Sequence, residues 1–97
     1  MAPDTPHVPD PAAVEARILD FLQQELLADG GRVDRHSDLL SGEVLDSMSV
    51  LRLAAFVGEA FAIDVQPADF VVDNFRNVEA IALYVHRATT ARAAERR

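Results

Sequence analysis

Apolar side chains recur at steps of three and four along three separate stretches, and that spacing selects helices over strands. The first stretch is Val14, Ile18, Phe21, Leu22 and Leu26, with Glu15, Arg17, Gln23 and Gln24 off the face. It opens on Asp10-Pro11, where Asp can accept from first-turn N–H groups and Pro suits the first helical position. Gly30-Gly31 stops it, which predicts a first helix over about 11–28. The second stretch is Val50, Leu53, Ala54, Val57 and Phe61, on a helix capped by Asp46. The third is Val78, Ile81, Ala82 and Val85, on a helix capped by Asn77. Ala and Arg extend that helix to about Ala94, with its last turns exposed and frayed. Between the second and last helices, Pro67 opens a short helix over 67–72 with Phe70 and Val71 inward, and Asn74-Phe75-Arg76-Asn77 makes a turn. The fold class is all-α: a four-helix bundle of three long helices and one short helix three, with a long loop between helices one and two.

That connection, Asp29 to Asp46, is too long to be a simple link, and loops of this length in small domains are often functional. Val33, Leu39, Leu40, Val44 and Leu45 pin it to the core. The second helix carries a surplus apolar stripe, Met48, Leu51 and Ala55, rotated away from the first. It fits either a partner-facing surface or a central, well-covered helix.

At 97 residues the chain makes one domain, and 49% apolar content suffices for a core. A tail over 1–9 holds Pro3, Pro6 and Pro9 and reads as disordered; the domain proper is 10–86; 87–97 is an Arg/Ala-rich helix end or tail. Fifteen acids stand against five Arg before residue 87, and one acid against four Arg from there on. A net charge of −7 argues against binding nucleic acid or an anionic membrane. The basic end reads as a solvated helix tail or a docking handle. Without Cys there is no disulfide, thiolate metal site or cysteine nucleophile. His7, His36 and His86 lack ligand spacing, so no metal site is expected. No bilayer-length apolar run and no secretory signal are visible, which makes a cytoplasmic monomer the default.

No enzyme constellation emerges. Asp64 with Asp69, or Asp69 with Asp73, reads as solvated charge rather than an acid–base pair. Ser47 stands apart. It sits in the first turn of the second helix, where free N–H groups and the helix dipole favour a phosphate on its hydroxyl. Taken alone, a serine after Asp46 is equally part of a cap.

Leu45-Asp46-Ser47-Met48 resembles the Asp-Ser-Leu motif of acyl carrier proteins, with Met48 in place of Leu. Glu59-Ala60-Phe61-Ala62-Ile63-Asp64-Val65 looks like that family's stretch at the end of helix two. Pro67-Ala68-Asp69-Phe70 resembles its short third helix, and Asn74-Phe75-Arg76-Asn77-Val78-Glu79-Ala80-Ile81 the opening of its last helix. The matching register covers about residues 39–86. The resemblance implies a carrier, not an enzyme, with 4′-phosphopantetheine from coenzyme A attached covalently to Ser47. It implies that Asp46 caps the helix and contacts the transferase. It places Met48, Leu51, Arg52, Ala55 and Glu59 toward partners. Those partners are a phosphopantetheinyl transferase, an acyl- or aminoacyl-loading ligase or acyltransferase, and downstream synthase enzymes.

Two departures refine the resemblance. Ser49 and Arg52 stand where fatty-acid carriers are usually acidic, and Gly58 and Ala60 thin the acid further, leaving only Glu59 between Ser47 and Phe61. Gly58 also costs the helix about 1 kcal/mol relative to Ala. The Gly-Gly-His/Asp pattern of peptide-synthetase carriers is absent before Ser47, and Ser41-Gly42-Glu43-Val44-Leu45-Asp46-Ser47 looks more like discrete carriers. A discrete carrier of a bacterial polyketide-type, antibiotic-like pathway is therefore expected. A housekeeping fatty-acid carrier is the alternative within the family. Outside it stand a helical interaction module, with Ser47 a mere cap, and a small hydrolase or transferase using Ser47 with His36 as base. The charges of Arg32, Arg35 and His36 are otherwise read as solvated, and His86 as a surface residue.

Overall fold

The computed structural model describes residues 9–27, 31–42 and 44–95, with side chains to residue 92. The expected disorder of the tail concerns residues almost all outside this range, as do Gly30, Glu43, Arg96 and Arg97. Helix α1 spans Pro11–Phe21 and runs straight into a π-helical turn, Leu22–Leu26. Helix α2 spans Ser47–Ala60, α3 Val72–Phe75 and α4 Val78–Glu95, with a 3₁₀ turn at Pro67–Asp69 before α3. No strand occurs among the described residues.

The predicted faces become the core. Val14, Ile18 and Leu22 of α1, Leu53 and Val57 of α2, and Val78, Ile81, Ala82 and Val85 of α4 are buried together with Leu39 and Leu45 of the long connection. The π turn has a packing reason. Its Leu27 N–H donates to the Leu22 carbonyl at 2.7 Å, so residues five apart share a face, and Leu22 and Leu27 are both buried while Leu26 is half-buried. Phe21 stacks on Phe56 with centroids 4.1 Å apart, and Arg17 reaches the Ala60 carbonyl at 3.4 Å. Helix α1 therefore runs antiparallel to α2.

The third helix differs from its prediction. The segment 67–72 divides into the 3₁₀ turn and α3, and Val71 is exposed between them. Asn74 and Phe75, expected in a turn, close α3 instead, and Phe75 is one of the largest fully buried side chains. It meets Phe70 edge-on at 5.0 Å and Tyr84 at 5.5 Å. Tyr84 donates to Asp69 at 3.1 Å, which gives Asp69 a structural role where solvated charge was expected. The last turns of α4 are not wholly exposed either: Thr89 is buried, its hydroxyl donating to the Val85 carbonyl at 2.8 Å. His86 is half-buried, with an enclosed Nδ1 that has no hydrogen-bond partner, rather than a surface residue.

Helix α2 ends in a reversed turn. Ala62 adopts φ +56°, and the Ile63 N–H donates to the Gly58 carbonyl at 3.0 Å. A Cβ on Gly58 would lie 3.1 Å from the Ile63 carbonyl oxygen. Glycine at 58, a cost when read from sequence, leaves room for the chain to turn back over the helix end.

The long connection is tied down by charge as well as by apolar residues. The Arg35 guanidinium holds the Glu15 carboxylate of α1 through two bonds of 2.7 and 2.8 Å and reaches Glu79 of α4 at 3.4 Å. His36 Nε2 lies 3.2 Å from Glu79, and the Glu79 N–H donates to the Arg35 carbonyl at 3.1 Å. Arg35, read as solvated, is paired across helices α1 and α4. A further bond, Leu39 N–H to the Arg76 carbonyl at 2.7 Å, fixes the loop against the end of α3. The second half of the connection thus reaches α2 from a clamped position.

Candidate functional site

Helix α2 begins where the connection ends, and its first turn is built by Asp46. Asp46 is extended, at φ −87° and ψ 178°, and its carboxylate accepts the Ser49 N–H at 2.8 Å. The bonds from Ser49 hold the Asp46 carboxyl below its ordinary pKa. The helix proper starts with the Asp46 carbonyl accepting the Val50 N–H at 3.0 Å. Ser47 is thus the first helical residue, and it is exposed.

An open depression lies at this turn and adjoins two others. The first, of about 590 Å³, is lined by Leu40, Gly42, Leu45, Ser47, Val50 and Phe70, among others, and its walls are mainly apolar. It shares Leu51 and Phe70 with a second, of about 360 Å³, that continues past Ala54, Ala55, Val65 and Pro67. It shares Leu40 with a third, of about 440 Å³, that ends at His36, Val72 and Arg76. The trough lies beside Ser47 and along α2, outside the packed core, and no sequence signal announced it.

Residues proposed from sequence to face partners are all on the surface. Met48 is 67% exposed and Leu51 53%, and Arg52, Ala55 and Glu59 are exposed on the same helix. Val50, Leu53, Ala54 and Val57 face inward, so the two stripes separate into a core face and a free face. Arg52 makes no hydrogen bond or ion pair with any described residue. Exposed Val71 and Val72 add to the apolar surface near the trough.

The arrangement accommodates a tethered phosphodiester. Ser47 sits at a helix start whose N–H groups and dipole favour negative charge, and the trough offers an apolar bed for a long arm. Among the described residues it does not furnish a hydrolase. His36 faces Glu79 and does not line the depression at Ser47, so no described imidazole is brought to that hydroxyl as a base. No metal-binding group of three or more His, Cys, Asp or Glu exists among the described residues. Nor is any helix among them long and apolar enough to cross a membrane.

The family model described as a phosphopantetheine attachment site matches residues 16–85, most of the chain. No curated protein and no solved structure matches the chain.

Proposed function

This chain belongs to the family of phosphopantetheine-attachment domains, and we propose that Ser47 is its attachment point, within a carrier unit over 10–86. Members of the family hold 4′-phosphopantetheine covalently and act as carriers rather than enzymes. They are served by a phosphopantetheinyl transferase and by loading or synthase enzymes. The observation that carries the assignment to Ser47 is its place: the exposed first residue of α2, after the Asp46 cap and beside the apolar trough. The group would bring a terminal thiol able to hold an acyl or aminoacyl chain as a thioester. The chain itself has no Cys, so no protein thiol competes for that cargo.

Within the family, the reading is a specialised carrier of a polyketide-type pathway rather than a fatty-acid carrier. The support is the composition of α2, which presents Arg52 and only Glu59 as an acid along its exposed face. A docking surface built for an acid-rich carrier finds little charge to meet there. The two are separated by offering the acylated protein to fatty-acid synthase enzymes beside their own carrier; comparable turnover would restore the fatty-acid role.

The attachment itself is tested with a fluorescent coenzyme A analogue and a broad-specificity transferase. Wild-type protein takes the label and Ser47→Ala does not. An equally labelled Ser47→Ala protein removes Ser47 from the role.

A further inference from the structure

Arg52 lies one turn beyond Met48 on the same exposed face of α2, five residues from Ser47. At a rise of about 1.5 Å per residue, that places it about 7.5 Å along the helix from the serine. Even a small enzyme contact of about 600 Å² per side, centred on Ser47, is a disc of about 14 Å radius. About 140° of helical turn separates the two, and Met48 lies between them, so Arg52 falls inside an enzyme contact at Ser47 that extends over Met48. Its neighbours there are Met48, Leu51 and Ala55, all exposed and apolar.

A guanidinium stays charged through the accessible pH range, and Arg52 has no partner among the described residues. The only acid between Ser47 and Phe61 is Glu59, two turns further along the helix. Covering an unpaired cation with an apolar surface strips its water without replacement, whereas a carboxylate placed opposite keeps its hydrogen bonds and its charge balanced. The enzyme that comes to Ser47 under all circumstances is the one that attaches the group.

We propose that the phosphopantetheinyl transferase serving this chain presents an apolar socket to Met48 and Leu51 and a carboxylate to Arg52. Arg52 thereby selects transferases with an acidic rim over those with a basic one. The proposal rests on Ser47 as the attachment point. Arg52 does not touch the reacting atoms; it governs the encounter, so its effect falls on carrier KM and not on kcat.

The test measures transfer of phosphopantetheine from coenzyme A by the transferase of the organism from which this chain comes. Wild-type, Arg52→Gln and Arg52→Glu proteins are compared, with helix content checked by circular dichroism. The expected order of carrier KM is wild type, then Gln, then Glu, the last raised about tenfold or more with kcat unchanged. Equal KM values in all three proteins overturn the proposal, since Arg52 then lies outside the contact. A lower KM for Arg52→Glu overturns it too, since the enzyme surface is then basic. These outcomes leave Ser47 in place. A wild-type protein that takes up no phosphopantetheine overturns the functional reading itself, and this proposal with it.

Discussion

Replacing Ala62 with glycine should stabilise the fold, although glycine usually weakens a protein. Ala62 is held at φ +56°, where an L-residue's Cβ crowds the backbone at a cost of about 1–2 kcal/mol. Glycine escapes that strain but gives the unfolded chain more freedom, worth about 0.4–1 kcal/mol in the other direction. The balance is a gain of about 0.5–1 kcal/mol, or a Tm about 2–8 °C higher for a domain of this size. Urea unfolding followed by far-ultraviolet circular dichroism measures it, with an unchanged m value to show that the same surface unfolds. Gly58→Ala is the companion. Helix propensity alone offers about 1 kcal/mol in its favour. The 3.1 Å approach of the Ile63 carbonyl opposes it, because that carbonyl belongs to a residue whose own N–H is bonded back to residue 58. No gain, or a loss, is expected. A destabilised Ala62→Gly together with a stabilised Gly58→Ala would refute the reversed turn at the end of α2.

Three further outcomes follow from the packing and the ionisable groups. Tyr84 is the only tyrosine, and burial, reinforced by its bond to Asp69, pushes its pKa up to about 12. An ultraviolet titration should therefore show no tyrosinate through the ordinary range near 10, while the stabilisation, whole below about 10, is lost as pH rises from there through the folded value; ionisation near 10 in folded protein contradicts the buried ring. Phe75→Ala should cost about 3–5 kcal/mol, and Phe75→Leu markedly less, because the ring fills the space between Phe70 and Tyr84. Equal, small losses for both would place Phe75 outside the core. On the acid side, backbone N–H groups hold the Asp46 and Asp34 carboxyls below 3.8, so their contribution is whole above that value and fades as pH falls through the lower folded values. Asp46→Asn should flatten that acid-side decline in melting temperature, and an unaltered decline removes Asp46 as its source.

Long segments were legible in the sequence because one face of a helix must repeat every three or four residues. Val14, Ile18, Leu22, Val78, Ile81 and Val85 were placed inward on that ground alone, and the structure buries them all. The Asp46 and Asn77 caps were legible too, since short acceptor side chains before an apolar run have few other uses; the Asn77 oxygen accepts the Ala80 N–H at 2.7 Å. The region 67–77 was not. A 3₁₀ turn and a four-residue helix are too short to show a period, so Phe75 reads as a turn residue in sequence although it anchors the core. Tyr84 carries no sequence signal for a related reason, its hydroxyl being satisfied by Asp69, fifteen residues away. The Arg35 clamp joins residues 20 and 44 positions apart, and no local pattern announces such a pair. At the candidate site, Ser47 and the free stripe of α2 were visible from sequence. The trough beside them was not, because it is made by Leu40, Leu45, Leu51 and Phe70 from three separate segments.

One atom of the chain carries the prosthetic group, and its identity is directly measurable. Protein modified with coenzyme A and a transferase should be digested and fragmented in a mass spectrometer, and the added phosphopantetheine located residue by residue. It should lie on Ser47 alone, once per chain, and be missing from Ser47→Ala. Location on Ser41 or Ser49, or no addition to a folded wild-type protein, would contradict the assignment.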